Sequence, residues 1–120
     1  MSTNAGNIGE SQACRYLEHR GHQIIARNVR LGRGELDIIS MHKELLLFIE
    51  VKAHNSRESA LLAVDKKKCA RLRSAAEMWL SLHADYSHRQ CRFDLIIITP
   101  RVGWMMWLGP HIEHMEDIIR

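Results

Sequence analysis

Apolar residues fall along this 120-residue chain in runs whose period changes, and each period dictates an element. Ala13, Tyr16 and Leu17 recur at helical spacing and predict a first helix over about Ile8–Arg20, with Gly21 in the position that ends helices. β-Type runs follow at Gln23–Val29, Gly34–Met41 and Leu45–Lys52. A polar stretch through Asn55, Ser56 and Arg57 leads into a long helix from Ala60 or Val64 to His83. Its candidate buried residues are Leu61, Val64, Leu72, Ala75, Ala76, Met78, Trp79 and Leu80. A fourth strand over Arg92–Thr99 stops at Pro100. Val102–Leu108 reads as a fifth, with Trp104, Met106 and Leu108 on one face, and the tail His111–Arg120 fits a short strand or a helical turn. The order α-β-β-β-α-β-β predicts an α/β fold, a mixed sheet flanked by helices in a three-layer core. Leu95-Ile96-Ile97-Ile98 is as apolar as the third strand and should lie beside it in parallel, through a right-handed helical crossover.

Charge interrupts two of these strands. In Leu45-Leu46-Leu47-Phe48-Ile49-Glu50-Val51-Lys52, an apolar run meets an acid and then a base. Residues two apart on a strand share a face, so Glu50 and Lys52 point together and Val51 points away. A buried strand is a costly place for either charge unless it has a partner or a task. Asp37, in the preceding run, can join them. A His42-Lys43 loop sets Asp37 opposite Phe48 on that same face, and a four-residue loop sets it opposite Glu50. A three-residue loop without a bulge sends it to the other face. Two carboxylates and a lysine at one end of a sheet suit a hard cation such as Mg²⁺, which takes one or two carboxylates and completes its shell with water and substrate phosphate. The competing account is a structural ion pair of Asp37 and Lys52 beside a solvated Glu50.

Composition narrows the choice. The net charge of +3 and a pI near 9.0 permit an anionic partner. Arg27, Arg30 and Arg33 precede the Asp37 strand, and Lys66, Lys67, Lys68, Arg71 and Arg73 cluster on the long helix. Basic groups on both sides of an acidic site suit a phosphate backbone, with Arg30, Arg33, Lys66, Lys68 and Arg71 as candidate contacts. No apolar run approaches the ~18 residues of a membrane span. Residues 1–7 contain no apolar signal core and read as a flexible lead-in to a single domain over 1–120. Cys14, Cys69 and Cys91 are odd in number and scattered, which fits a reducing cytoplasm. The eight histidines form no recognised zinc pattern. Trp104, Met105, Met106 and Trp107 suit core packing or contact with a second copy, a homodimer, better than stacking on bases.

The element order and the acid, acid-x-lysine signature resemble the PD-(D/E)xK nuclease superfamily, which has the restriction-endonuclease-like fold. Nearly the whole chain is more closely similar to the YraN-type family of small bacterial proteins. The matching segments are Gly9-Glu10-x-x-Ala13-x-x-Tyr16-Leu17, Arg27-Asn28, Gly34-Glu35-Leu36-Asp37, Phe48-Ile49-Glu50-Val51-Lys52, Ala63-Val64 with Lys68 and Leu72, and Arg92-Phe93-Asp94. The resemblance implies that Asp37 and Glu50, with the main-chain carbonyl of Val51, bind Mg²⁺ or Mn²⁺. It implies that Lys52 positions the attacking water and that Glu10 completes the site. This chain departs from the pattern at Val29, His54 and Cys69, where the family often has Trp, Arg and Gln. The expectation is a metal-dependent nuclease acting on DNA rather than RNA, with branched or single-stranded forms as candidate substrates. The alternative is a non-catalytic nucleic-acid-binding module with a vestigial metal site.

Overall fold

A computed structural model describes residues 4–119, with side chains from Ile8 onward. Helix α1 (Asn4–His19) is followed by strands β1 (Gln23–Leu31), β2 (Gly34–His42) and β3 (Leu45–Ala53). Helices α2 (Arg57–Leu62) and α3 (Lys66–Leu82) then lead to β4 (Gln90–Thr99) and β5 (His111–Met115). The helix thus begins at Asn4, inside the lead-in expected at 1–7; the first three residues lie outside the described ones. The expected long helix is two helices, because Asp65 caps a new start by accepting the Lys68 N–H at 2.8 Å.

The sheet order is β1-β2-β3-β4-β5. β1, β2 and β3 pair antiparallel, β3 and β4 parallel, and β4 and β5 antiparallel. Alternation sends Leu47, Ile49, Ile96 and Ile98 toward α1, and Leu46 and Phe48 toward α3. Leu95 and Ile97 meet Ala60 of α2. The result is a mixed α/β fold in three layers. Met78, expected inside, is 41 % exposed, its methyl end lying near Gly32.

Two features set up the site. The β2–β3 turn is Lys43-Glu44, one residue later than the His42-Lys43 loop, because His42 pairs with Leu45. That register pairs Ile38 with Ile49 and so brings Asp37 level with Glu50. The second feature is the close approach of α3 to the start of β2. A Cβ on Gly34 would lie 2.5 Å from the Arg71 carbonyl oxygen and 2.9 Å from the Ala75 Cβ. Only glycine admits the helix backbone this near.

The fifth strand differs from the sequence expectation. Val102–Leu108 is not a strand: Gly103–Leu108 forms a 3₁₀ helix, and β5 is supplied by His111–Met115. Gly103 and Gly109 bracket the 3₁₀ segment at φ +68° and +82°, conformations that break an extended chain. The alternating Trp104, Met106 and Leu108 have no core to face, being 77 %, 66 % and 47 % exposed.

Gly34→Ala should therefore force α3 off β2, with an overpacking cost of about 1–3 kcal/mol. Urea denaturation of the variant checks this. Unchanged stability would mean that α3 retreats freely and does not fix the site.

Candidate metal centre

Glu50 sits on the α3 side of β3 at 2 % exposure, between Leu95 of β4 and the first half of β2. Its Oε2 receives two ammonium groups, Lys68 Nζ at 3.0 Å and Lys52 Nζ at 3.3 Å. Lys52 arrives by strand periodicity. Lys68 arrives from the first turn of α3, one turn before the Arg71 carbonyl that lies against Gly34. Buried Glu50 thus draws Lys68, a candidate phosphate contact, inward.

Asp37 occupies a break in the sheet. The β2–β3 pairs stop at Ile38 and Ile49, and beyond them the Val51 N–H donates to Asp37 Oδ2 at 2.9 Å. Alternation fails at this point, since Leu36 packs toward α3 whereas Ile38 packs toward α1. On the other side, β1 and β2 pair Arg27 with Ile38 and Val29 with Leu36, so Asn28 stands level with Asp37. Asn28 has φ +54°, a left-handed conformation that asparagine tolerates better than most residues. Its side chain hydrogen-bonds Glu10. Sequence reasoning gave Asn28 no role, although a strand-averse residue between β-formers was a usable signal.

Electrostatics follow from the packing. Burial, then the adjoining Glu50 carboxyl, raises Asp37 to about 9, against the opposing pull of the Val51 N–H. Burial would raise Glu50 too, but the Asp37 hydroxyl and the ammonium groups of Lys52 and Lys68 outweigh it and hold Glu50 below its usual value. At neutral pH the pair thus keeps one proton and one negative charge. Glu50 Oε1 is buried without a hydrogen-bond partner, as is Glu10 Oε2. Glu10 lies apart from the pair: its nearest ionic neighbour is Arg27 at 4.0 Å, and its charge only adds to the rise at Asp37.

This donor set fits a hard cation. Two adjacent carboxylates and an orphaned buried oxygen are what Mg²⁺ or Mn²⁺ uses, with water and substrate filling the remaining positions. Among the described residues no three His, Cys, Asp or Glu side chains converge on one point, so Glu10 does not complete the centre by direct contact.

Beside the pair lies a cleft of about 450 Å³ lined by Arg30, Arg33, Lys68 and Arg71, with Gly32, Gly34, Glu35 and Leu72. Four of the five expected phosphate contacts thus share one surface. Lys66 is the exception; it faces a groove on the far side of α3 with Cys69, Arg73 and Ile118.

Residues 9–98 match the family model of uncharacterised protein family UPF0102. The chain belongs to this family. A UPF0102 protein of Nitrobacter winogradskyi is 40 % identical over 98 residues, covering 82 % of this chain and 83 % of the relative. The UPF0102 protein RPA0323 of Rhodopseudomonas palustris is 38 % identical over 98 residues, covering 82 % and 75 %. One from Oleidesulfovibrio alaskensis is 46 % identical over 97 residues, which span 79 % of this chain but 48 % of that protein.

The matched UPF0102 region also contains a buried acid away from this pair. Asp94 is fully buried on the α1 side of β4. It accepts two bonds from Arg92 at 2.8 and 2.9 Å, the Asp117 N–H at 3.0 Å, and pairs with His114 Nε2 at 2.8 Å. These bonds tie the C-terminal segment to β4. Burial alone would raise Asp94, but its bonds from His114, Arg92 and the Asp117 N–H depress it to about 2. An acid depressed from 3.8 to about 2 lends stability that is complete above the unfolded value and is lost as pH falls toward 2. Asp94→Asn should accordingly cost about 2 kcal/mol at neutral pH by this linkage. The difference from wild type should shrink between pH 4 and pH 2. A constant difference across that range, in urea titrations, would place the stabilisation elsewhere.

Proposed function

We propose that this chain is a metal-dependent nuclease of restriction-endonuclease-like fold that hydrolyses phosphodiester bonds in DNA. The observation that carries the reading is buried Glu50, level with Asp37 and held by Lys52 and by Lys68, the lysine that also lines an arginine-rich cleft. Asp37 and Glu50 would hold Mg²⁺ or Mn²⁺, with the Val51 carbonyl as the third protein oxygen that the family resemblance implies. The cation, when bound, would polarise the scissile phosphate and lower the pKa of a water. Arg30, Arg33 and Arg71 would hold the flanking phosphates, fixing the strand in line with the site. Lys52, 21 % exposed in its side chain and paired with Glu50, would orient the attacking water. Lys68 would pass from Glu50 to the substrate phosphate, since both are anions within reach of the same cleft. Glu10, held by Asn28, would adjust the charge of the pair from outside it.

A second reading, a binding module with a vestigial site, draws on the lack of a third converging carboxylate among the described residues. The two readings separate in one set of measurements on linear, single-stranded and four-way-junction DNA, with RNA as a comparison, in Mg²⁺ or Mn²⁺. Lys52→Ala should abolish cleavage and leave DNA affinity nearly intact, because a role in the transition state affects rate more than ground-state binding. Arg71→Ala should weaken binding and reduce the salt slope by about 0.9 on duplex DNA. If no substrate is cut with either metal and Lys52→Ala weakens binding as much as Arg71→Ala, the binding-module reading replaces the nuclease.

A further inference from the structure

The 3₁₀ segment between β4 and β5 is an exposed apolar tip. Trp104 and Trp107 are 77 % and 76 % exposed, and Val102, Met106 and Leu108 are exposed beside them. Its shape is fixed from inside. The Arg101 guanidinium donates to the carbonyls of Leu108, Gly109 and Pro110 at 3.4, 3.2 and 3.3 Å. The apolar side chains therefore face outward from a closed frame. They present on the order of 700 Å², more than the largest patch of a typical monomer and close to one partner's share of a standard interface.

A receptor of matching character lies next to the tip. A groove of about 400 Å³ runs between α1 and β5, lined by Gln12, Arg15, Tyr16, Arg20, Pro110 and Ile112, and Leu108 of the tip forms part of its wall. Arg20 already stacks on the Tyr16 ring, 4.0 Å from its centroid. An incoming indole would meet an aromatic and aliphatic surface edged by guanidinium groups, which favour Trp faces. Because Leu108 belongs to both features, a two-fold axis beside it sets each copy's tip over the other's groove, a self-complementary contact that closes on itself. Base-stacking platforms, by contrast, interleave aromatics with cations that track the backbone. Arg101 is here turned inward to carbonyls.

We infer that the Val102–Leu108 tip docks into the α1–β5 groove of a second copy of this chain, forming a reciprocal homodimer. Sedimentation velocity of the full chain over a wide concentration range should show a monomer–dimer equilibrium. Tryptophan emission should shift to the blue as the dimer forms, because Trp104 and Trp107 are exposed whereas Trp79 is buried in either state. A Trp104→Ser, Trp107→Ser double variant should weaken association at least tenfold without changing the circular dichroism. Gln12→Trp, which fills the groove and leaves the tip intact, should do the same. A chain that stays monomeric throughout overturns the inference; a blue shift with anionic vesicles, or quenching by single-stranded oligonucleotide, would then assign the tip to lipid or to bases. A dimer that survives the tip variant, or one that survives Gln12→Trp, overturns it as well.

Discussion

A carboxylate held at 2 % exposure inside a five-stranded sheet is the constraint on which this structure turns. Unpaired, such a charge costs several kcal/mol or takes up a proton. Glu50 avoids both outcomes through partners from three elements. Lys52 is two residues along the same strand, Lys68 comes from α3, and Asp37 shares a proton from β2. Each partner imposes a local irregularity. For Lys68 to reach Glu50, α3 must lie against β2, which requires glycine at 34. For Asp37 to face Glu50, β2 must leave the β3 ladder, and the Val51 N–H is then satisfied by a side chain rather than a strand. The left-handed Asn28 lies level with that break on the neighbouring strand.

The irregularities explain what the sequence discloses and what it hides. Strong periodicity located α1, β1 to β4 and the parallel neighbourhood of β3 and β4, because those segments are buried and alternation reports burial. The Glu50, Lys52 and Asp37 grouping was legible for the same reason: charges stand out within apolar runs. The contact of Lys68 with Glu50 was not legible, because it depends on how closely α3 lies to β3. Glu10 was placed in the site by resemblance, and the fold sets it near enough to influence Asp37 but not to touch it. The 102–108 segment was misread since alternation implies a strand only when one face is buried. Here glycines at both ends and an internal arginine frame hold an exposed apolar turn instead.

The buried acids differ in how fully they are satisfied. Asp94 is surrounded by donors, and its bonds fasten the C-terminal segment. Glu50 and Asp37 lie in an environment of similar burial, yet a Glu50 oxygen is left without a donor. Buried polar groups are satisfied almost everywhere in folded proteins, so an orphan beside a second carboxyl marks a place where an outside group belongs. The neighbouring arginine-lined cleft supports the anionic substrate proposed for it. Family membership gives the arrangement a wide setting without itself assigning a reaction.

The central claim is that Asp37 and Glu50 together form a divalent-metal centre. Anomalous scattering from crystals equilibrated with Mn²⁺ tests it most directly. The account predicts one strong peak in contact with both carboxylates. Absence of a peak there at saturating Mn²⁺, or a peak that touches neither carboxylate, would contradict it.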